Sequence, residues 1–188
     1  AQAAAQRQLQ WSFRVARGAV EAELMAAALE ADLVAIGKAI RPLTSRARLG
    51  QTARALSQAC SRSVLFAVTA EQAGQVTALA YDGTPLAADA LDLAARLVSD
   101  DGGRLLVFLL AGSTEEAAEH EAAVRRRLRG TGIELEFRRV YGGPAEMLHW
   151  IEHIRPRLLV MGAAPNDEAL ASVVERASCQ VLLVRPRG

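Results

Sequence analysis

Leu158-Leu159-Val160-Met161-Gly162 repeats, late in the chain, what Leu33-Val34-Ala35-Ile36-Gly37 spells near its start. Each is a continuous apolar run closed by glycine, the pattern of a parallel strand buried on both faces. Around this pair a longer correspondence runs in one order. Phe13-Arg14-Val15-Ala16-Arg17-Gly18 matches Phe137-Arg138-Arg139-Val140-Tyr141-Gly142, and Glu23-Leu24 matches Glu146-Met147. Val64-Leu65-Phe66-Ala67-Val68 matches Val181-Leu182-Leu183-Val184. Elements recurring in a fixed order indicate a duplicated fold rather than chance hydrophobicity.

Working outward, strands are expected over residues 11–16, 33–36, 64–68, 76–81, 104–110, 133–140, 158–161 and 181–184. Between them the spacing predicts helices over 20–31, 51–60, 144–154 and 167–177. Another begins at Pro85, which suits a first helical turn, and carries Leu86, Ala90, Leu93 and Leu97 on one face. A further helix is capped by Ser113 or Thr114, with Glu115 and Glu116 in its first turn and Arg125, Arg126 and Arg127 near its end, in agreement with the helix dipole. Alternating strands and helices imply α/β architecture, a parallel sheet covered on both faces. The first copy lacks counterparts of the strands at 76–81 and 104–110. The second has a much shorter segment between its fourth strand and its last helix. The domains are therefore expected at 1–70 and 76–188, joined by a polar linker at 71–75.

Composition agrees with a packed aliphatic core. Of 188 residues 51% are hydrophobic but only 4% aromatic. The 22 basic and 21 acidic side chains leave a net charge of +1, so no electrostatic footprint for nucleic acid or an anionic membrane is present. Apolar runs such as 105–111 are too short to span a bilayer. Cys60 and Cys179 form no metal-like spacing, and the expectation is a cytoplasmic protein with reduced thiols. The chain opens without Met on what reads as a helix already under way. A processed chain or a piece of a longer protein with a complete first copy is expected.

Several segments together resemble a known family. Asp82-Gly83-Thr84 after the strand at 76–81 is similar to a VDGS-type turn. Gly142-Gly143-Pro144 before a helix, followed by Leu158-Leu159-Val160-Met161-Gly162, resembles a "G-x-P … ADLIVMG" segment, and Ala31-Asp32-Leu33-Val34-Ala35-Ile36-Gly37 matches it more closely still. Ala177-Ser178-Cys179-Gln180-Val181-Leu182-Leu183-Val184 is similar to a closing "APCPVLVV". The family is that of the universal stress proteins (UspA-like), in tandem two-copy form. The resemblance implies a three-layer αβα, adenine nucleotide alpha hydrolase-like fold with strand order 3-2-1-4-5 in each copy. It also implies an intrachain pseudo-dimer formed through the last strands, from Val64 to Val68 and from Val181 to Val184. A homodimer of the chain is a further possibility. The first copy's strand at 11–16 would then have no neighbour within its own copy, leaving its backbone groups unpaired.

The resemblance also directs attention to one loop. Nucleotide-binding members carry G-x2-G-x9-G-[S/T] between the fourth strand and the last helix, where glycines let the backbone approach phosphates and helix N–H groups receive them. Gly37 and Gly50 fall at the first and last glycine positions of the first copy. Ile40 replaces the middle glycine, Gln51 stands in the Ser/Thr position, and Thr52 follows. Lys38, Arg41, Arg46 and Arg48 add positive charge. Two readings follow: a degenerate phosphate loop, or a solvated basic loop inherited from a binding ancestor, and the second is favoured. In the second copy Gly162 keeps the first glycine, but Pro165 stands at the second position and the rest of the loop is gone. Asp82 remains at the tip of its first strand, where an Asx-type turn or helix cap is the expected role ahead of ligand contact.

Other chemistry is weighed against plainer readings. His149-Trp150-Ile151-Glu152-His153 spells H-x-x-E-H, yet the segment aligns with an ordinary covering helix, and no metal is expected there. His120 sits among glutamates and is expected to be solvated. Cys60 and Cys179 read as buried packing residues. No nucleophile–base constellation is present, and no catalytic residue is assigned. The expected function is a non-catalytic stress-response or interaction protein without a cofactor. The alternative is an ATP- or AMP-binding sensor that uses Gly37, Lys38, Gly50 and Thr52.

Overall fold

The computed structural model describes residues 10, 12–38, 49–68, 75–99 and 103–186, apart from the side chain of Glu168. Among them run α1 (Val20–Ala28), β1 (Leu33–Gly37), α2 (Gln51–Ala59), β2 (Ser63–Ala67), β3 (Thr77–Tyr81) and α3 (Pro85–Ser99). These are followed by β4 (Arg104–Leu110), α4 (Thr114–Arg127), β5 (Glu134–Val140), α5 (Gly143–Ile154), β6 (Leu158–Gly162), α6 (Glu168–Arg176) and β7 (Gln180–Val184). The loop at 39–48 and most of the expected linker at 71–75 lie outside the described residues.

All seven strands join one sheet in the order β1-β2-β7-β6-β3-β4-β5. Five of the six pairings are parallel, as βαβ connections require. The exception is β2 with β7, which is antiparallel with Val64 opposite Leu183, Leu65 opposite Leu182 and Phe66 opposite Val181. The two ends of the chain meet the same way on each side of this seam. Leu33 lies opposite Ser63 as its sequence counterpart Leu158 lies opposite Gln180. Beyond each strand the next amide continues the ladder, Lys38 N–H to the Ala67 carbonyl at 2.7 Å and Ala163 N–H to the Val184 carbonyl at 3.0 Å. The helices before β2 and β7 are both nine residues long.

Side-chain alternation along the strands builds two cores. On one face Val64, Phe66, Val181 and Leu183 pack under α1, α2, α5 and α6 through Ala28, Leu56, Ile151 and Val173. On the other, Leu79, Val107, Val160 and Leu182 pack under α3 and α4. Fully burying one such side chain contributes about 1.5–3 kcal/mol. Those helices cover β3 to β7, and Leu65 of β2 packs against the same core. Among the described residues the second face of β1 is exposed, with Leu33 47% exposed there.

Two sequence expectations are corrected. The described residues of the expected strand at 11–16 form no strand, and Phe13 and Val15 are 81% and 72% exposed. The reason is the missing neighbour: the counterpart strand, β5, is held in the sheet by β4 alone, and no described strand plays that part for residues 12–17. The local turn nevertheless survives. Glu23 folds back over Gly18 as Glu146 does over Gly142. The second correction concerns α3, which buries Ala87, Ala90, Leu91, Ala94, Ala95 and Val98. The expected Leu86, Leu93 and Leu97 are only half-buried. A small-residue stripe wins because the helix lies close on the sheet: a Cβ on Gly162 would meet the Leu86 carbonyl carbon and oxygen at 2.5 Å.

Among the described residues nothing lies within 4 Å of where a Cβ would stand on Gly37, the counterpart of Gly162. The same substitution therefore has opposite outcomes at the two positions. Gly162→Ala is expected to lower unfolding stability in urea by about 1–3 kcal/mol through overpacking. Gly37→Ala is expected to be neutral or to stabilise by up to about 1 kcal/mol, because a strand glycine costs chain entropy. Equal losses at both sites would contradict the packing described.

Candidate functional site

Ligands of open α/β sheets gather at the carboxyl ends of the strands, where loops lead into helix N-termini. Between β3 and β6 that place is built from Asp82, Gly162 and the turn that enters α6. Asp82 Oδ1 accepts the Thr84 N–H at 3.1 Å and the Thr84 hydroxyl at 2.7 Å. Thr84 Oγ1 in turn accepts the Ala87 N–H at 3.2 Å and caps α3. The Asp82 carboxylate is thus engaged in an Asx turn. Gly162 owes its lack of a side chain to the α3 backbone pressed against it.

The turn from β6 into α6 is short and tied down at three points. Ala163 N–H bonds the Val184 carbonyl at 3.0 Å, and Asn166 N–H bonds the Gln58 carbonyl of α2 at 2.8 Å. Asp167 Oδ1 accepts the Leu170 N–H at 3.1 Å. A carboxylate therefore occupies the helix N-terminus, where a phosphate would need free N–H groups and positive potential. The residues in this half do not fit a nucleotide's phosphates. Asp167 as cap was legible as an Asp directly before an apolar helix. Its bearing on phosphate binding follows only from the shortness of the turn.

In the first half, Gly50 is the N-cap of α2 and Thr52 lies half-exposed in that helix's first turn. Ile40, Arg41, Arg46 and Arg48 lie outside the described residues. Lys38 is 8% exposed, and its Nζ donates to the Ala177 carbonyl at the C-terminus of α6. Burial pushes its ammonium down to about 8, opposed by the nearby Cys179 and Glu175. Arg185, just after β7, makes the reciprocal reach. Its guanidinium donates to the Ala163 carbonyl at 2.8 Å and to the Ser57 carbonyl in the last turn of α2. Each half thus sends one buried cation to a helix end of the other, as the dipole favours. Arg54 and Glu175 add an ion pair at 2.9 Å between α2 and α6. Sequence reasoning placed Lys38 in a phosphate loop and passed over Arg185, because neither motif spacing nor charge reveals that two helix ends lie across the seam.

The remaining candidates separate. His120 is not solvated: its side chain is 12% exposed, stacks edge-on against Tyr81 at 5.7 Å and lies over Gly83. Glu116, one helical turn earlier, lies 4.0 Å from its Nε2, and the ring takes the space over the glycine. His149 and His153 lie on α5, with His153 Nδ1 2.8 Å from the His149 carbonyl. Among the described residues no group of three or more His, Cys, Asp or Glu could hold a metal. Cys60 and Cys179 are buried free thiols, and burial pushes Cys179 up to about 11. No described helix is long and apolar enough to cross a membrane. A cavity of about 710 Å³ opens beside β1, bordered by Leu33, Arg62, Leu93, Leu97 and Leu182.

Comparison with solved structures recognises this arrangement. A universal stress protein from Archaeoglobus fulgidus DSM 4304 superposes with a TM-score of 0.72 over 88% of this chain and 64% of its own, at 19% identity. The fold is that of the universal stress proteins. A Pseudomonas aeruginosa UCBPP-PA14 protein assigned to the same group superposes with a TM-score of 0.76 over 98% of this chain and 75% of its own, at 16% identity. The chain thus spans about two thirds to three quarters of these two proteins. A smaller universal stress protein, solved in complex with cAMP, matches 58% of this chain with 96% of its own, at a TM-score of 0.52 and 20% identity. No protein-family profile matches the chain, and no curated protein does.

The buried Lys38 and Cys179 set a pH dependence of stability. Lys38 titrates lower in the folded than in the unfolded chain, from 10.5 to about 8, so the unfolded chain binds more protons there and stability rises with pH. Cys179 titrates higher when folded, from 9.0 to about 11, which has the opposite sign. Stability is expected to rise by about 1 kcal/mol between pH 8 and 9 and to level off above it. In urea titrations at each pH, Lys38→Met should flatten the rise, and Cys179→Ala should extend it towards pH 10.

Proposed function

We propose that this protein is a universal stress protein-like, non-catalytic stress-response or interaction scaffold, acting in the cytoplasm and built from two UspA-like units. In this reading residues 76–188 form a complete unit of strand order 3-2-1-4-5, residues 1–70 form part of another, and 71–75 link them. The units form an intrachain pseudo-dimer along β2 and β7. The matching registers on either side of the seam support the duplication. So does the match of a nearly whole smaller universal stress protein to 58% of this chain.

The observation that carries the non-catalytic reading is the Asp167 carboxylate on the N-terminus of α6. Negative charge at that point opposes a bound phosphate, and Asp82 across from it is already engaged by Thr84. Without a nucleotide no leaving group is positioned for hydrolysis. A second reading, an ATP- or AMP-binding sensor, is favoured by one observation: the neighbour solved with cAMP shares the fold. It would use the first unit, with Gly37, Lys38, Gly50 and Thr52 around the loop at 39–48.

The protein purified from cells, denatured and analysed by mass spectrometry, is expected to release no stoichiometric nucleotide. Release of one ATP or AMP per chain, lost in a Gly50→Trp variant, would replace the scaffold reading with the sensor.

A further inference from the structure

The H-x-x-E-H segment of α5 lacks a protease's set of ligands, yet its two histidines are placed together. α5 turns Met147, Leu148 and Ile151 into the core beneath it. His149 and His153 lie on its exposed side. Four residues advance a helix by about 400°, so the second imidazole stands one turn above the first and about 40° around from it. Their ring centroids are 4.3 Å apart, with the planes tilted by 52°. Two imidazoles that share one metal ion at about 2.1 Å from each nitrogen have centroids about 4.5–5 Å apart. A small rotation of either side chain brings the pair to that separation.

One hydrogen bond sets the tautomer. His153 Nδ1 lies 2.8 Å from the His149 carbonyl oxygen. A carbonyl can only accept, so Nδ1 carries the proton and Nε2 of the neutral ring keeps its lone pair. This is the arrangement of a metal-binding histidine, whose other ring nitrogen donates to a carbonyl or carboxylate and so fixes the ring. No hydrogen bond to another described residue engages Nε2 of His153 or either ring nitrogen of His149.

The position suits a cation for a separate reason. His153 stands in the last turn of α5, where the unpaired carbonyls carry the negative end of the helix dipole. Glu146, one turn before His149, is tied to the start of the helix. Its Oε2 accepts the Tyr141 N–H at 2.9 Å and the Gly142 N–H at 2.6 Å. Among the described residues no third His, Cys, Asp or Glu joins the two histidines. The protein therefore supplies two nitrogen ligands, and water supplies the rest. Neutral imidazole suits zinc, nickel and copper, whereas magnesium and calcium take oxygen.

We propose that His149 and His153 form a two-histidine chelate on the last two turns of α5 that takes one divalent cation of the zinc class from solution. His153 binds through Nε2, and water completes the coordination shell. The ion ties two successive turns together at the helix end, above the core that Ile151 shares with Val173 of α6. The sequence expectation of no metal rested on the likeness of this segment to an ordinary covering helix. Residue spacing allows the chelate, and the ring separation and the fixed tautomer are what support it. The proposal is independent of the scaffold and sensor readings, since it uses neither the seam nor the loop at 39–48.

The test is isothermal titration of the intact protein with Zn2+ in a buffer that does not chelate it, with Mg2+ as the control. One Zn2+ per chain is expected, with no saturable uptake of Mg2+. His149→Ala and His153→Ala should each weaken Zn2+ binding at least about tenfold. Both replace an exposed residue by the strongest helix former, and circular dichroism checks that the fold is kept. Should either fail to fold, His149→Gln and His153→Gln carry the same test. Replacing Cys60 and Cys179 together by Ala should leave Zn2+ binding unchanged. In nitrogen-15 spectra of the histidine rings, Zn2+ should shift Nε2 of His153 and leave its Nδ1 protonated. Absence of Zn2+ uptake, uptake indifferent to the histidine substitutions, or uptake lost with the cysteines would each overturn the proposal. So would coordination through Nδ1 of His153, or one ion bound per two chains, which would assign the ion to a junction of two copies.

Discussion

Antiparallel pairing of β2 with β7 puts Val64, Leu65 and Phe66 opposite Leu183, Leu182 and Val181. Because paired residues point to the same face, Val64, Phe66, Val181 and Leu183 enter one core, while Leu65 packs against the core that holds Leu182. A slip of one residue would exchange these faces and expose the largest side chain of the seam, Phe66. The seam also fixes what lies above it. It brings α2 and α6 together, and with them the Arg54–Glu175 pair, the Asn166–Gln58 hydrogen bond and the crossed reaches of Lys38 and Arg185. Cross-strand apolar pairs contribute only about 0.2–1 kcal/mol each, so the burial of two buried cations on carbonyls is sustained mainly by the surrounding core.

The two sides of this seam share one register although the elements beyond them differ. Each half needs its last two strands and last helix to form the junction, and both keep them in the same register. What lies farther out is free to differ. The carboxyl-end turn of the second half is short, and Asp167 caps the helix that follows it. The first half retains glycines at both ends of a longer loop.

Much of this was legible in the sequence because it rests on local pattern. The apolar runs ending at Gly37 and Gly162, the Ser113 cap and the Pro85 helix start are all signals carried within a few residues, and the strands and helices stand where they point. Residues 12–17 show the limit: their apolar alternation is that of a strand, but a strand requires a neighbour, and pairing is not a local property. The face of α3 was misread for a related reason. Leucines suggest a core face by hydrophobicity, whereas close approach to Gly162 selects alanine. Lys38 looked like phosphate-loop charge, and only the position of α6 turns it inward to Ala177. At the candidate site, residue types were readable, but whether a carboxylate faces a ligand or a helix terminus depends on the length and tethering of one turn.

The central claim, that β2 and β7 meet symmetrically about Leu65 and Leu182, is open to a direct chemical measurement. In a background with Cys60 and Cys179 replaced by Ala, the pair Leu65→Cys and Leu182→Cys is oxidised and the intrachain disulfide is quantified by mass spectrometry. Efficient cross-linking of this pair is expected, with little cross-linking of the off-register pair Val64→Cys and Leu182→Cys, whose side chains enter opposite faces. Equal yields for the two pairs, or a higher yield off register, would contradict it.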